Sequence, residues 1–336
     1  MAHRNIPIFI PHMGCPHQCV FCNQRAISGQ GGFDEGLVDQ TIQAALATLS
    51  PTDEVEIAFF GGSFTGIDRD LMIRLLETAE RYVACRGVSS IRLSTRPDYI
   101  STEILELLGN YSVKHIELGL QSMNDTVLSA CRRGHTRAQA VDACRAIVAA
   151  GFDLTGQMMI GLPNATPESE CETARLICDL GATSARIYPT VVFYDTPLAE
   201  LTRGGAYQPL STEEAVTRSA NVLRIFLERG IDVLRIGLCA SESLTSPERV
   251  MAGANHPALG ELVWNEYYYQ RIHKRLLEQG LKGSAITLTV PKGSISKVVG
   301  QRRRNLERLL RECQTKVLGV KECKSVTDVL IDPWQE

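Results

Sequence analysis

Three cysteines, Cys15, Cys19 and Cys22, lie in the run GCPHQCVFC with the spacing C-x3-C-x2-C. Thiolates are the usual ligands of iron–sulfur clusters, and a short loop lets three sulfurs reach one [4Fe–4S] cube while its fourth iron stays open. The same residues also suit a structural zinc site closed by His12 or His17. Three buried structural cysteines are a further alternative. The motif by itself leaves these alternatives open.

Length and composition predict a globular protein with a sizeable core. The chain has 336 residues, of which 44% are hydrophobic and 22% charged, and its formal net charge is −3. This charge predicts no global attraction to nucleic acid or to an anionic membrane, so any such attraction must be local. No signal peptide is visible, and no apolar run approaches the roughly 18 residues that span a bilayer. We therefore expect a cytoplasmic protein without a membrane partner.

Strand-like and helix-like runs alternate along most of the chain. Such alternation predicts parallel strands joined by right-handed crossovers, and we predict an α/β fold, a partial TIM-type (β/α)6 barrel, for residues 1–245. In such barrels the functional groups gather at the carboxyl ends of the strands. The candidate residues follow that rule, because the cysteine loop, Gly61, Thr95 and Gln121 end the first four runs. The strand-like runs are 6–10, 54–62, 90–97, 114–122, 154–163, 184–192 and 231–238.

The pattern changes near residue 245. A stretch with loop character is followed by a helical run at 261–279, a strand-like run at 285–290 and a second helical run at 302–313. Two short strand-like runs complete the chain. This order predicts a small C-terminal α+β accessory domain over residues 246–336.

Several motifs occur in an order that identifies a family. Together they resemble the radical S-adenosylmethionine (radical SAM) superfamily, and within it the branch that contains the catalytic subunit of Elongator. The resemblance covers roughly residues 6–240. The motifs are the cysteine loop with Phe21, GGSFT at 61–65, STRPD at 94–98, ELGLQS at 117–122, RGHT at 133–136, MMIGLP at 158–163 and IYPT at 187–190.

The resemblance implies two cofactors. Cys15, Cys19 and Cys22 would ligate three irons of a [4Fe–4S] cluster, and the amino and carboxylate groups of S-adenosylmethionine (SAM) would chelate the fourth. A reductant such as flavodoxin or ferredoxin would supply the electron that cleaves SAM to methionine and a 5′-deoxyadenosyl radical, which abstracts hydrogen from a substrate. The cofactors would carry out the electron transfer and the radical reaction, and the protein would bind and orient them.

The resemblance also implies a set of SAM contacts, while no catalytic residue is assigned. Relatives of this kind often have an acidic residue where this chain has Ser63. The residues expected to contact SAM are Phe21 near the adenine, Gly61, Gly62 and Ser63 at the methionine amino group, and Thr95, Gln121, Arg133 and Gln157 at the ribose or carboxylate. A fork-shaped guanidinium suits a carboxylate, and amide side chains satisfy hydroxyls as donor and acceptor. His135 is interpreted as a structural histidine.

A basic segment distinguishes the C-terminal domain. Residues 292–311 contain seven basic residues and one acidic residue. The order strand, helix, Gly300-Gln301-Arg302-Arg303, helix, strand looks like a KH-type RNA module, which clamps a nucleic-acid backbone with a GxxG loop. Arg303 stands where that loop has its second glycine. We predict RNA contact, with tRNA as the partner, through Arg302, Arg303 and Arg304.

Three functions remain open at this point. The favoured one is a radical SAM enzyme that acts on an RNA, such as a tRNA base. A second is a radical SAM enzyme that acts on a small molecule such as a tetrapyrrole, which would need a dry apolar cleft and no RNA affinity. A third is a non-catalytic iron–sulfur protein that binds RNA. No acetyltransferase segment is expected after residue 245, so acetyl-derived carboxymethylation is not carried over from the Elongator branch.

Overall fold

The chain folds into two compact units. The computed structural model describes residues 3–15, 19–23, 32–50, 52–85, 87–238 and 248–334. The first unit comprises Met1–Leu210 and Ile225–Asn255, and the second comprises Ser211–Arg224 and His256–Glu336. The predicted domain boundary between residues 245 and 246 stays a prediction.

The first unit is built on one sheet of seven parallel strands, in the order β1-β2-β3-β4-β5-β6-β8. The sheet is a curled half-barrel, so the predicted partial TIM-type barrel is confirmed, with β8 as a seventh strand beyond the six β/α units. Sequential parallel order is what consecutive right-handed crossovers produce. The strands are β1 (His3–Ile10), β2 (Glu54–Gly61), β3 (Val88–Thr95), β4 (Val113–Gln121), β5 (Asp153–Ile160), β6 (Ser184–Pro189) and β8 (Asp232–Ile236).

Helices connect these strands, and side chains cap their first turns. Ser101, Thr136 and Thr166 each accept a hydrogen bond from a backbone N–H of the helix that follows, which satisfies an N–H without an intrahelical partner. The helices are α1 (Val38–Leu46), α2 (Arg69–Cys85), α3 (Thr102–Leu108), α4 (Asp125–Ala130), α5 (Arg137–Ala149), α6 (Pro167–Asp179), α7 (Pro197–Arg203) and α8 (Thr212–Glu228). Most of α8 belongs to the second unit, and its residues from Ile225 onward belong to the first.

Some elements were not predicted from the sequence. The helices α4 and α7 are six and seven residues long, too short to show a helical period. The strand β7 (Val191–Phe193) pairs antiparallel with β9 (Val250–Gly253), which lies in a stretch predicted as loop. A pair of three- and four-residue strands has no periodic signature of its own.

The second unit is an α+β fold, as predicted. Its sheet has the order β11-β10-β12, with β10 (Ala285–Pro291) parallel to β11 (Lys316–Cys323) and antiparallel to β12 (Leu330–Pro333). Its helices are α9 (Leu259–Glu278), α10 (Ile295–Val299) and α11 (Arg304–Cys313). The helical run predicted from residue 302 therefore begins two residues later, because Arg302 and Arg303 have left-handed backbone angles. Among the described residues, no helix is both long and apolar enough to cross a membrane.

A buried ion network crosses four strands of the large sheet. Arg92 in β3 donates to Glu56 in β2 at 2.9 Å and to Glu117 in β4 at 3.2 Å, and Arg186 in β6 donates to Glu117 at 2.8 Å. Each of these residues is at most 8% exposed. Charges persist in such a setting only when they are paired, since desolvation of a lone charge is costly. Glu117 lies four residues before Gln121 on β4, so the network and the candidate site share this strand.

Candidate active site

The cysteine loop follows the end of β1. Cys19 is 5% exposed, whereas Cys15 and Cys22 are half-buried, and the Cys22 N–H donates to the Cys19 carbonyl at 3.0 Å. Residues 16–18, including the alternative zinc ligand His17, lie outside the described residues. Within the described ranges, no group of three or more His, Cys, Asp or Glu side chains is arranged to hold a metal ion. The assignment of the cysteines as ligands therefore stays a prediction.

Two guanidinium groups face the central cysteine. Arg133 donates to Sγ of Cys19 at 3.3 Å, and Nη1 of Arg96 lies 3.9 Å from the same sulfur. Asp98 fixes Arg96 through two hydrogen bonds of 2.9 Å. A cysteine that binds a metal does so as a thiolate, and the two guanidinium groups lie where they would face that negative charge. Burial raises the pKa of the Cys15 thiol, while Arg96 and Arg133 act in the opposite direction.

Glycines allow the cysteine loop to interlock with the end of β2. The Ser63 N–H donates to the Met13 carbonyl at 2.8 Å, and the Gly62 N–H donates to the Ile10 carbonyl at 3.0 Å. A Cβ at Gly62 would lie 1.9 Å from the Met13 oxygen, and one at Gly14 would lie 2.2 Å from the Ser63 oxygen. These glycines are thus required by backbone-to-backbone contact within the protein. Their predicted contact with SAM stays a prediction.

Three hydroxyl groups connect β2 to β3 beside the loop. Oγ1 of Thr95 lies 2.9 Å from Oγ of Ser63 and 2.5 Å from Oγ1 of Thr65, and Thr65 also donates to the Tyr99 carbonyl at 2.9 Å. All three hydroxyl residues are buried. Ser63 therefore orients Thr95 through its hydroxyl.

Three predicted SAM-contact residues converge around Gly119. A Cβ at Gly119 would lie 3.2 Å from Nε2 of Gln121, 3.4 Å from Nη2 of Arg133 and 3.4 Å from the Thr95 carbonyl oxygen. Gln157 on β5 pairs in register with Gly119 and so lies next to this group. Gln121 itself has a φ of 63°, a left-handed conformation that is uncommon outside glycine and often marks functional sites. Residues that are far apart in the sequence thus meet toward the carboxyl ends of β3, β4 and β5.

Buried polar atoms at this site have no hydrogen-bond partner among the described residues. They are Oε1 of Gln121 and Nε of Arg133. Buried polar groups in proteins are nearly always satisfied, so each of these atoms calls for an explanation such as a ligand. A donor–acceptor set of this kind fits a ligand that carries a carboxylate and hydroxyl groups, as SAM does. Burial, together with Arg133 and Arg96, lowers the pKa of His135 to about 3.

The other predicted contact, Phe21, borders an apolar cluster. Phe21 is half-buried and packs against residues that include Val20, Cys131 and Leu162. Burial raises the pKa of Cys131 to about 12, with Cys19 adding to the effect, so this thiol stays neutral beside the loop.

Two residues of the site were absent from the predicted set. Arg96 contacts Cys19, and His135 is buried, with its pKa lowered in part by Arg133 and Arg96. Their signals in the sequence are the runs STRPD and RGHT, which place an arginine after a strand and a histidine two residues after Arg133.

Comparison with known families agrees with this geometry. The family described as "Radical SAM superfamily" matches residues 9–177, and "Radical_SAM C-terminal domain" matches residues 182–269. The first match contains the cysteine loop and every predicted SAM-contact residue.

Two named relatives match part of the chain. A tRNA uridine(34) acetyltransferase of Methanocaldococcus infernus is 26% identical over 186 residues, which cover 49% of this chain and 35% of the relative. Elongator complex protein 3 of Saccharomyces cerevisiae is 26% identical over 196 residues, 52% of this chain and 35% of that protein. This chain thus matches about a third of the length of these relatives.

A solved structure shares the fold. The archaeal Methanocaldococcus infernus Elp3, lacking its N-terminal residues 1–46, superposes with a TM-score of 0.61 at 19% identity, covering 83% of this chain and 64% of that one. The family match spans half of the chain, which is sufficient to assign the family. The chain belongs to the radical SAM superfamily, and it is an enzyme that uses a [4Fe–4S] cluster and SAM.

Proposed function

We propose that this radical SAM enzyme acts on an RNA substrate of the tRNA class. The convergence of Thr95, Gln121 and Arg133 beside Cys19 is the observation that supports the SAM site. The RNA substrate is supported by the relatives named for tRNA uridine and by an exposed basic turn in the second unit.

Within the first unit, each residue has a proposed role. Cys15, Cys19 and Cys22 hold the cluster, and the Arg133 guanidinium binds the SAM carboxylate. Gln121 and Gln157 bind the ribose hydroxyls, and Thr95 is held in place by Ser63. When bound, the two cofactors supply one-electron cleavage of SAM and hydrogen abstraction from the substrate. A small reducing protein of the flavodoxin or ferredoxin type is the proposed electron donor.

The protein contributes orientation and protection from water. Phe21 lies between the cysteine loop and an apolar cluster, so it presents a ring to the adenine from a dry side of the site. Gly61 and Gly62 hold the end of β2 against the loop, which fixes the distance between the cluster ligands and the methionine end of SAM. Such exclusion of water limits side reactions of reactive species.

The second unit has fewer free cations than its sequence suggests. Arg304 pairs with Glu213 at 2.8 Å, Arg308 pairs with Glu266, and Arg311 pairs with Glu312 at 2.9 Å. The proposed RNA contact is therefore concentrated on Arg302 and Arg303, both of which are exposed.

The test is anaerobic incubation of the reconstituted, reduced protein with SAM and total tRNA, followed by mass analysis of the nucleosides. We expect 5′-deoxyadenosine and one nucleoside of changed mass. SAM cleavage without any change in tRNA, together with turnover of a small molecule such as a tetrapyrrole, would overturn the RNA assignment. An absence of SAM cleavage would overturn the proposed SAM site.

A further inference from the structure

The turn between α10 and α11 has an unusual backbone. Gly300 has φ 76° and ψ 160°, Arg302 has φ 50° and ψ 32°, and Arg303 has φ 65° and ψ 18°. Left-handed angles cost an ordinary L-residue about 1–2 kcal/mol, and glycine adopts them freely. Arg303 thus takes a glycine-like conformation at the position where a GxxG loop has its second glycine. Two adjacent arginines keep this conformation only if their surroundings impose it.

Two buried asparagines form side-chain hydrogen bonds with the backbone around this turn. Asn305, 3% exposed, donates from its side chain to the Asn265 carbonyl at 2.8 Å and to the Val298 carbonyl at 3.1 Å. The Asn265 amide, oriented to satisfy both of its ends, donates to the Lys297 carbonyl at 3.1 Å and accepts from the Gln301 N–H at 3.2 Å. The last carbonyls of a helix have no intrahelical partner, so these amides replace the missing bonds of α10.

Glycine is also needed at the start of the turn. A Cβ at Gly300 would lie 3.1 Å from Cγ of Asn305 and 3.2 Å from its backbone N. The turn, α9 and α11 are therefore in close contact through the two asparagines. All of these contacts lie within the protein, so they support the conformation of the turn without a ligand.

The charges on this turn are directed at solvent. Arg302 and Arg303 are exposed, and within the described part of the chain neither forms an ion pair, in contrast to Arg304 and Arg311. Nearby, Nζ of Lys297 lies 4.3 Å from the centroid of the Trp264 ring, so this third cation is held by an aromatic face. A cluster of arginines on a rigid turn is suited to phosphate, which guanidinium groups bind as a two-pronged fork.

We propose that Gly300–Arg303 is a preformed site for the backbone phosphates of single-stranded RNA, and that Asn265 and Asn305 are its positioning residues. This inference rests on the proposed RNA substrate. The phosphates of the strand are bound by Arg302 and Arg303, and the asparagines act through those arginines. Preorganisation lowers the ordering cost that two long side chains on a flexible loop would carry.

The first experiment removes the arginines without disturbing the turn. In the double variant Arg302→Gly plus Arg303→Gly, the left-handed angles become favourable, so the melting temperature is expected to stay the same or rise. The affinity for total tRNA and for an oligouridylate of about 12 nucleotides is expected to fall about tenfold. The slope of log K against log salt is expected to decrease by about 1.4, as for two lost phosphate contacts on a single strand.

The matched control is Lys274→Gln plus Arg311→Gln, which removes two exposed cations of the second unit that are already paired with acids. We expect a change in affinity of less than about threefold, since paired charges contribute little to phosphate binding. Equal losses in the two double variants would overturn the assignment to the turn. Unchanged RNA affinity in the glycine variant would overturn it as well.

The second experiment tests the asparagines. Asn305→Leu removes the amide without changing the charge, and it is expected to reduce both the affinity and the salt slope in the otherwise wild-type chain. In the Arg302→Gly plus Arg303→Gly background it is expected to cause no further loss, because the arginines through which it acts are gone. Full additivity of the two effects would overturn the positioning role. Asn265→Leu is the second variant should Asn305→Leu not fold, and the same cycle applies.

Binding and turnover separate this inference from the proposed function. The binding assays need neither SAM nor a reductant. Loss of RNA affinity in the turn variants, with no modified nucleoside in the wild-type reaction, would support the phosphate site and overturn the substrate. A modified nucleoside in the wild-type reaction, with unchanged RNA affinity in the turn variants, would support the RNA substrate and overturn the phosphate site.

Discussion

Nη1 of Arg133 lies 3.3 Å from Sγ of Cys19, although 114 positions separate the two residues in the chain. The contact joins the predicted cluster loop after β1 to the segment that follows α4. Arg133 is 5% exposed, and its Nε has no hydrogen-bond partner among the described residues. One guanidinium therefore contacts a predicted iron ligand and still has a donor left for a second anion.

Replacement of the central cysteine should abolish cluster binding. We expect Cys19→Ala to reduce the iron content from about four per chain to nearly none, with loss of the brown absorption, because a cluster missing one of three thiolates is poorly held. The control is Cys144→Ala, since Cys144 is also buried but lies on α5, outside the triplet. Iron analysis and absorption spectra of anaerobically reconstituted protein provide the measurement. A full complement of iron in the Cys19 variant would contradict the assignment.

Replacement of Arg133 should weaken SAM binding while the cluster remains. We expect Arg133→Gln to lower the affinity for SAM at least about tenfold, because a charge-assisted fork to a carboxylate is lost. The adjacent Arg132 is exposed, and Arg132→Gln serves as the control. Equilibrium dialysis of SAM against the reconstituted protein measures the affinity. An iron loss with unchanged SAM affinity would instead show that Arg133 supports the cysteine loop alone.

A methyl group at Gly62 should displace the cysteine loop. The added Cβ would overlap the Met13 carbonyl oxygen, and both atoms belong to the backbone, so neither moves freely. We expect Gly62→Ala to lower the free energy of unfolding by about 1–3 kcal/mol and to reduce iron incorporation. In Gly32→Ala, by contrast, the new Cβ meets no atom within 4 Å, and both properties should be unchanged. Normal iron loading in Gly62→Ala would show that the interlock is dispensable.

His135 should make the fold sensitive to acid. Burial and the nearby arginines lower its pKa to about 3 in the folded chain, so between that value and its ordinary pKa the unfolded chain binds the extra proton. Stability from this group is complete at neutral pH and is lost as the pH falls. Between pH 7 and pH 5 the loss is expected to be about 1–2 kcal/mol, and His135→Gln should remove it. Urea unfolding at the two pH values measures this difference, and parallel losses in both proteins would refute it.

The parallel strands of the large sheet were predictable because strand-like and helix-like runs alternate along the sequence. The run at 114–122, for example, became β4 with bounds one residue different. The α11 start was wrong, because a left-handed arginine leaves no mark in a sequence that otherwise reads as helical. The meeting of Arg96 with Cys19 was equally hidden, since it depends on where β1 and β3 end in space.

The site was predictable in part for a related reason. Residue types at strand ends indicated which side chains gather there, and Thr95, Gln121 and Arg133 do gather. The contact that Gly62 and Gly14 make between two protein segments was not predicted, and the predicted contact of Gly62 with SAM stays a prediction. Spacing in a sequence shows that a small residue is present but not which backbone approaches it.

The ion network of Glu56, Arg92, Glu117 and Arg186 restricts how this sequence can change over time. Arg92 pairs with both Glu56 and Glu117, and Glu117 also pairs with Arg186. Substitution of one of these residues by a neutral one would therefore leave a buried charge without a partner. Viable descendants should therefore keep all four or replace several together, and these positions are expected to co-vary as a block.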